Sequence, residues 1–149
     1  SRDFAFGDWI KVGNITGQIN DITWRVVKMR DSDENSYIIP NSVFNTNAIV
    51  VLPPFQTTDL PVEFSNTADL DAITRDLPEL AYEALKKAGY LYQDMKPELS
   101  LDGAGLNSIN ATLEVYTDYK YESIDIRECV MASVLDYLKS NKALASYTE

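Results

Sequence analysis

From residue 8 to residue 40, apolar and polar positions alternate at period two and are interrupted by short polar clusters, which predicts strands and turns. Asp8-Trp-Ile-Lys-Val12 ends at Gly13-Asn14, and residues 17–30 read as one long strand. In that strand Ile22, Trp24 and Val26 share one face, and Thr23, Arg25 and Val27 share the other. Asp31-Ser-Asp-Glu-Asn35 is a turn cluster; Tyr37-Ile-Ile39 restarts a strand and Pro40-Asn41 stops it. About five short strands in so little chain predict a small, strongly bent β barrel.

The rest of the chain mixes both periods. Residues 59–65 form a strand with Val62 and Phe64 on one face. Thr67 or Asp69 can cap a helix over residues 70–88, ended by Gly89. Leu70, Ile73, Leu77, Leu80, Ala84 and Ala88 supply its three-four apolar spacing, and Pro78 is expected to kink or split it. Strands follow near residues 98–101 and 108–117, the second alternating through Ile109, Ala111, Leu113, Val115 and Thr117. A second helix over residues 122–138 turns Ile126, Val130, Val134 and Tyr137 to the core. The order β-α-β-β-α is ferredoxin-like, with its last strand missing from the pattern. The expected fold class is therefore α+β: an Sm-like β barrel (residues 1–57), then a ferredoxin-like domain (residues 58–149). Pro53-Pro54-Phe55 and Pro61 make the junction stiff and extended.

Charge sharpens that division. The 149 residues carry 23 acids against 13 bases, a net charge of −10. Residues 1–57 hold five bases and six acids, net −1; residues 58–149 hold eight and seventeen, net −9. Such a field repels phosphate backbones, so no nucleic-acid partner is expected. Histidine is absent, which excludes Ser-His-Asp and Cys-His chemistry and any His-bearing zinc site. The single cysteine, Cys129, forms no internal disulfide and suits a reducing compartment. The longest apolar run, Ala48-Ile-Val-Val-Leu52, is far short of the ~18 residues of a membrane helix, so the expectation is a soluble polypeptide without a signal peptide.

Candidate chemistry adds little. Asp31-Ser-Asp33-Glu-Asn35 matches the opening of a calcium loop, but Ser36 and Ser42 stand where its glycine and bidentate acid belong; a polar β-turn explains the same letters. Gly103-Ala-Gly105 reads as a turn, and the sequons at Asn14 and Asn110 matter only in a secreted chain. Cys129, beside Val130 and Met131, reads as a buried inert side chain. Tyrosines 82, 90, 92, 116, 119 and 121 cluster in the acidic part and read as core filling or a subunit interface, since base stacking needs a basic groove. No carboxylate pair has a separation that the sequence sets. The expectation is no enzyme, no cofactor and no metal.

One spaced constellation is specific. Phe4-Ala-Phe-Gly-Asp-Trp-Ile-Lys-Val-Gly13, then Gly17 with Ile19 and Ile22, then Met29-Arg-Asp31 and Ile39-Pro-Asn41, closely resembles the β domain of the small-conductance mechanosensitive channel (MscS) family. The resemblance continues through Thr67-Ala-Asp69 before the first long helix and Leu106-Asn-Ser-Ile-Asn110 before the third strand.

The resemblance implies a membrane channel whose pore helix leads into this β domain. Its subunits form a homo-oligomer, a heptamer, enclosing a cytoplasmic vestibule with side portals, and membrane tension releases ions and small osmolytes. This chain would be a fragment on the cytoplasmic side of the inner (cell) membrane, with the membrane helices upstream of Ser1. Pro40, Asn41 and Phe4 would contact the pore helix and take part in gating. Gly7, Gly13 and Gly17 would set turn geometry, and Asp59 and Glu63 are candidates for the portal rim. Ser42 stands where many members carry glycine, and residues 142–149 lack the family's Phe/Pro-rich closing strand. Ile22-Thr-Trp-Arg25 resembles a subgroup with a further ligand-binding domain. The alternative is an Sm-like nucleic-acid module or a non-channel interaction domain.

Overall fold

The computed structural model describes residues 3–145, which fall into two compact units that divide between Phe55 and Gln56. The first holds β1 (Trp9–Val12), β2 (Ile15–Ile22), β3 (Val26–Arg30), β4 (Ser36–Pro40), α1 (Asn41–Thr46) and β5 (Ile49–Val51). They form one antiparallel sheet in the order β4-β3-β2-β1-β5. The alternating inward residues Ile10, Val12, Ile19, Val27, Met29 and Ile39 make its core.

The single long strand expected over residues 17–30 is instead the hairpin β2–β3. Thr23 causes the reversal: its Oγ1 accepts from the amides of Arg25 (3.2 Å) and Val26 (3.0 Å), satisfying the donors that the turn takes off the ladder. Ile22 consequently lies across from Val27, and Trp24 sits at the turn, 85% exposed, instead of on a shared face. Alternation of apolar residues continues through the turn, so periodicity alone hides it. α1 was not expected either. Pro40 ends β4 and caps this six-residue helix, its fixed φ of −58° suiting both roles.

The turn at residues 31–35 is built by Asp31. Its Oδ1 accepts from the amides of Asp33 (3.0 Å) and Asn35 (2.9 Å), and its Oδ2 from Asn35 Nδ2 (3.0 Å) and the Tyr37 hydroxyl (2.9 Å). These bonds hold the Asp31 carboxyl below its usual pKa, the Asn35 side chain contributing most.

The second unit holds β6 (Gln56–Ser65), α2 (Leu70–Ala88), β7 (Glu98–Ala104), β8 (Ser108–Thr117) and α3 (Ser123–Ser140). Its antiparallel sheet has the order β6-β8-β7. β6 begins at Gln56, earlier than the pattern suggested, and pairs with β8 from Gln56↔Thr117 to Ser65↔Ser108. Leu60, Val62, Phe64, Leu113 and Val115 pack against α2 and α3 in one core.

α2 starts as expected: Asp69 caps it by accepting from the Ala72 amide at 3.1 Å, and Gly89 ends it at φ +79°. Pro78 does not split it. Burial of Ile73, Leu77, Ala81 and Leu85 along one row outweighs the missing amide. That row shares Ile73 and Leu77 with the expected stripe and then departs from it, since Ala84 is only half-buried and Ala88 is exposed. On α3 the core row ends in Leu138, while Tyr137 lies half-buried beside it. β7 runs further than expected, bulging between Leu101 and Gly103, so that Gly103 and Ala104 still pair with β8 and the turn follows them. After α3 the chain returns along the outer edge of β6, where Leu144 bridges Phe64 and the Ser65 amide donates to the Ala143 carbonyl at 2.8 Å. The end of the segment 142–149 lies outside the described residues.

Candidate functional site

In the first unit, three of the residues singled out by sequence meet at α1. Pro40 caps the helix, Asn41 begins it, and Phe4 packs against Phe44 with ring centroids 5.3 Å apart. Asn41 also reaches across to the β2–β3 turn. Its amide donates to the Arg25 carbonyl (2.9 Å), and its Nδ2 donates to the carbonyls of Trp24 (2.6 Å) and Thr23 (3.3 Å). Its Oδ1 is buried with no hydrogen-bond partner. The donors of Asn41 are thus engaged inside the unit, and only an acceptor is left over.

The three glycines differ. Gly7 (φ +91°) and Gly13 (φ +58°) occupy left-handed backbone, and the Gly7 amide donates to the Ile19 carbonyl at 2.8 Å. Gly17 lies inside β2, not in a turn. A Cβ there would meet the Arg30 carbonyl oxygen and Met29 Cε, each at 3.1 Å, so it is close approach of β3 that requires glycine.

Sequence reasoning missed the turn that Asn41 holds. Trp24 projects from it, with the Arg25 guanidinium 5.4 Å from the ring centroid. The readable signal was Thr23, a residue whose hydroxyl favours such turns.

Asp59 and Glu63 lie on the face of the second sheet turned away from the helices, both exposed. The register places Glu114 across from Asp59 and Glu98 across from Glu114, so three carboxylates cross the sheet in one row. The strands β6, β7 and β8 carry Asp59, Glu63, Glu98, Asp102 and Glu114 and neither Lys nor Arg. Two hydroxyls on this face temper the repulsion: Tyr116 donates to Glu114 Oε1 at 2.7 Å and Thr112 to Asp102 Oδ2 at 2.6 Å. Burial, then the Glu114 carboxylate, pushes the Tyr116 phenol far up.

Elsewhere the expected chemistry is structural. Burial raises the Cys129 thiol above its usual pKa, and its S–H donates to the Ala84 carbonyl at 3.5 Å. Tyr82 is buried with its hydroxyl on Asp94 (3.1 Å) and Lys96 Nζ 3.5 Å from its ring centroid, and Tyr90 packs against Tyr121 at 4.6 Å. Among the described residues no cluster of His, Cys, Asp or Glu is arranged to hold a metal, and no helix is long and apolar enough to cross a membrane.

Comparison with known proteins gives these features a context. Residues 1–50 match the family described as the β-domain of the mechanosensitive ion channel. The low conductance mechanosensitive channel YnaI of Escherichia coli is 36% identical over 50 residues, 32% of this chain and 15% of that protein. An uncharacterized MscS family protein of Bacillus subtilis, YhdY, is 33% identical over 48 residues, 32% of this chain and 13% of its own length. Folds similar to the whole chain occur in Helicobacter pylori MscS in its closed state (TM-score 0.61, 13% identity, 99% of this chain and 57% of that one). Arabidopsis thaliana MSL1 is similar too (TM-score 0.57, 18% identity, 99% and 54%). The chain therefore spans a small part of the curated relatives and about half of each solved chain.

Proposed function

We propose that this chain, whose residues 1–50 match the β-domain of the mechanosensitive ion channel and resemble an MscS-family relative, forms the cytoplasmic vestibule and gate support of such a channel. The observation that carries this reading is continuity: the family match covers the first sheet, and the structural likeness to two channels runs on through 99% of the chain.

In this reading the first unit is an Sm-like β barrel and the second a ferredoxin-like half-sandwich. Leu144 on the outer edge of β6 supports the latter, because it extends the order β6-β8-β7 on the side where a fourth strand belongs. β4 and β5 are the two open edges of the first sheet, available for pairing between copies in a ring, with seven as the expected number. Upstream helices supply the pore in the inner membrane, and tension releases ions and small osmolytes; the domain does no catalysis. Phe4, Pro40 and Asn41 face the base of the pore helix, Gly7, Gly13 and Gly17 keep the backbone compact beneath it, and Asp59 and Glu63 line the ion path. The net charge of −10 disfavours the nucleic-acid alternative.

The test is the full-length protein in cells stripped of their own mechanosensitive channels. Survival of hypo-osmotic shock, with tension-gated currents in patches, is the expected result; a full-length protein that is made, reaches the membrane and passes no current under tension rules the reading out.

A further inference from the structure

We propose that the β2–β3 turn, residues 23–25, is a contact point for an anionic lipid surface, with Trp24 entering the headgroup zone and Arg25 meeting lipid phosphate. The assignment deepens the channel reading and rests on it.

Two features set this turn apart from an ordinary exposed side chain. The first is rigidity. Thr23 Oγ1 holds the amides of Arg25 and Val26, the Thr23 amide donates to the Val26 carbonyl (2.9 Å), and Asn41 holds all three turn carbonyls. An indole that is 85% exposed is therefore presented on an ordered support, so little conformational freedom remains to be lost on binding. Phe6, 74% exposed, precedes β1, whose antiparallel register from Trp9↔Gln18 carries the preceding chain toward the turn end of β2.

The second is charge. Residues 22–30 contain Arg25, Lys28 and Arg30 and no acid, in a chain of net charge −10. Lys28 lies across the ladder from Asp21, and Arg30 pairs with Glu34 at 3.4 Å. Arg25 makes no ion pair among the described residues; it stacks beside Trp24 instead. An uncompensated guanidinium next to an exposed indole joins phosphate recognition to an amphipathic ring, the pairing that suits the membrane–water interface. A protein partner of opposite charge, including a second copy, is the competing occupant.

The test uses the whole chain tethered through an N-terminal hexahistidine tag to nickel-chelating vesicles, because one aromatic and one cation give only marginal free binding. In Trp9→Phe the emission reports Trp24 alone; in Trp24→Phe it reports the half-buried Trp9. Lipids with brominated acyl chains are expected to quench the first protein several-fold more than the second, with a blue shift on phosphatidylglycerol vesicles. Arg25→Gln should abolish the preference for phosphatidylglycerol over phosphatidylcholine. Equal quenching of the two tryptophans overturns the proposal, as does a Trp24 shift that depends on protein concentration and not on lipid, which identifies a second copy. Loss of lipid contact while the full-length protein still rescues shocked cells removes this inference and leaves the channel reading intact; lipid contact without channel activity does the reverse.

Discussion

Asn41 donates its side-chain amide to the carbonyl of Trp24 at 2.6 Å, joining the first residue of a helix to the tip of a hairpin seventeen positions earlier. This bond makes the Pro-Asn pair a brace within the first unit before it is anything else. Asn41→Ala removes two side-chain hydrogen bonds to carbonyls, one short and one long. The expected loss is about 1–2 kcal/mol in urea denaturation, with the chain still folded. In the full-length channel the same change should alter closing or inactivation, and patch-clamp records matching wild type would take Asn41 out of the gate.

Gly17 and Gly13 should fail differently. Gly17→Ala places a methyl against the Arg30 carbonyl and Met29, so a cost of about 1–3 kcal/mol is expected from overpacking. Gly13→Ala meets nothing within 4 Å and suffers only the backbone strain of φ +58°, about 1 kcal/mol. Equal losses for both would contradict the close-approach account of Gly17.

Pro78 leaves the Thr74 carbonyl without its helical donor in the middle of α2. Pro78→Ala restores that donor and should stabilise the chain by about 1–3 kcal/mol, seen as a higher melting temperature. An unchanged or lower value means that the half-buried proline ring makes packing contacts as valuable as the lost bond.

Tyr137 on α3 donates to Asp76 Oδ2 on α2 at 2.6 Å. Burial, then this bond, pushes the phenol up to about 12 from 10.0. A raised folded pKa contributes stability that is whole below pH ~10 and is lost as pH climbs through about 12. Asp76 shifts the opposite way, lowered by Arg75 and then Tyr137, so its contribution is present above pH ~4 and lost on acidification. Tyr137→Phe should flatten the alkaline limb of the stability–pH curve and weaken the acid one. Identical curves for variant and wild type would deny the link between the helices any energetic role.

The row Asp59–Glu114–Glu98 gives the proposed channel role a test. Repeated around a ring, it attracts cations over a Debye length of ~8 Å at physiological salt. The full-length channel should show a modest cation preference that grows at low ionic strength and shrinks in Asp59→Asn with Glu63→Gln. Reversal potentials in a salt gradient measure it, and an anion-preferring wild type means that this face is turned away from the ion path.

Much of the second unit was legible because its signals are local. Asp69 and Gly89 mark both ends of α2, and β8 alternates without interruption. The α2 core row was legible at Ile73 and Leu77 and lost after them, because Leu80 and Ala84 are apolar yet only half-buried beside Ala81 and Leu85. In the first unit a spaced glycine and Pro-Asn pattern pointed to the family, whereas the β2–β3 turn and α1 stayed hidden. The turn is made by Thr23's local hydroxyl bonds, which leave the apolar period undisturbed, and is then secured by Asn41 from far along the chain. α1 is a short helix capped by the proline that ends β4, and neither feature shows in a period. The acids Asp59 and Glu63 were visible as letters, but their alignment with Glu114 and Glu98 is a property of register.

Register also governs the order in which the second sheet comes together. β7 and β8 are neighbours in the chain and can zip as a hairpin, but β6 reaches β8 only after α2 and β7 have been looped out between them. Loop-closure entropy costs more for that docking than for the hairpin, so the local pairing is expected to come first. The docking also brings Asp59 against a carboxylate pair already in place, so repulsion is felt on the way to the native state as well as in it. The same acids that would gather cations in a finished channel would thus resist the docking of β6, a resistance that counterions screen.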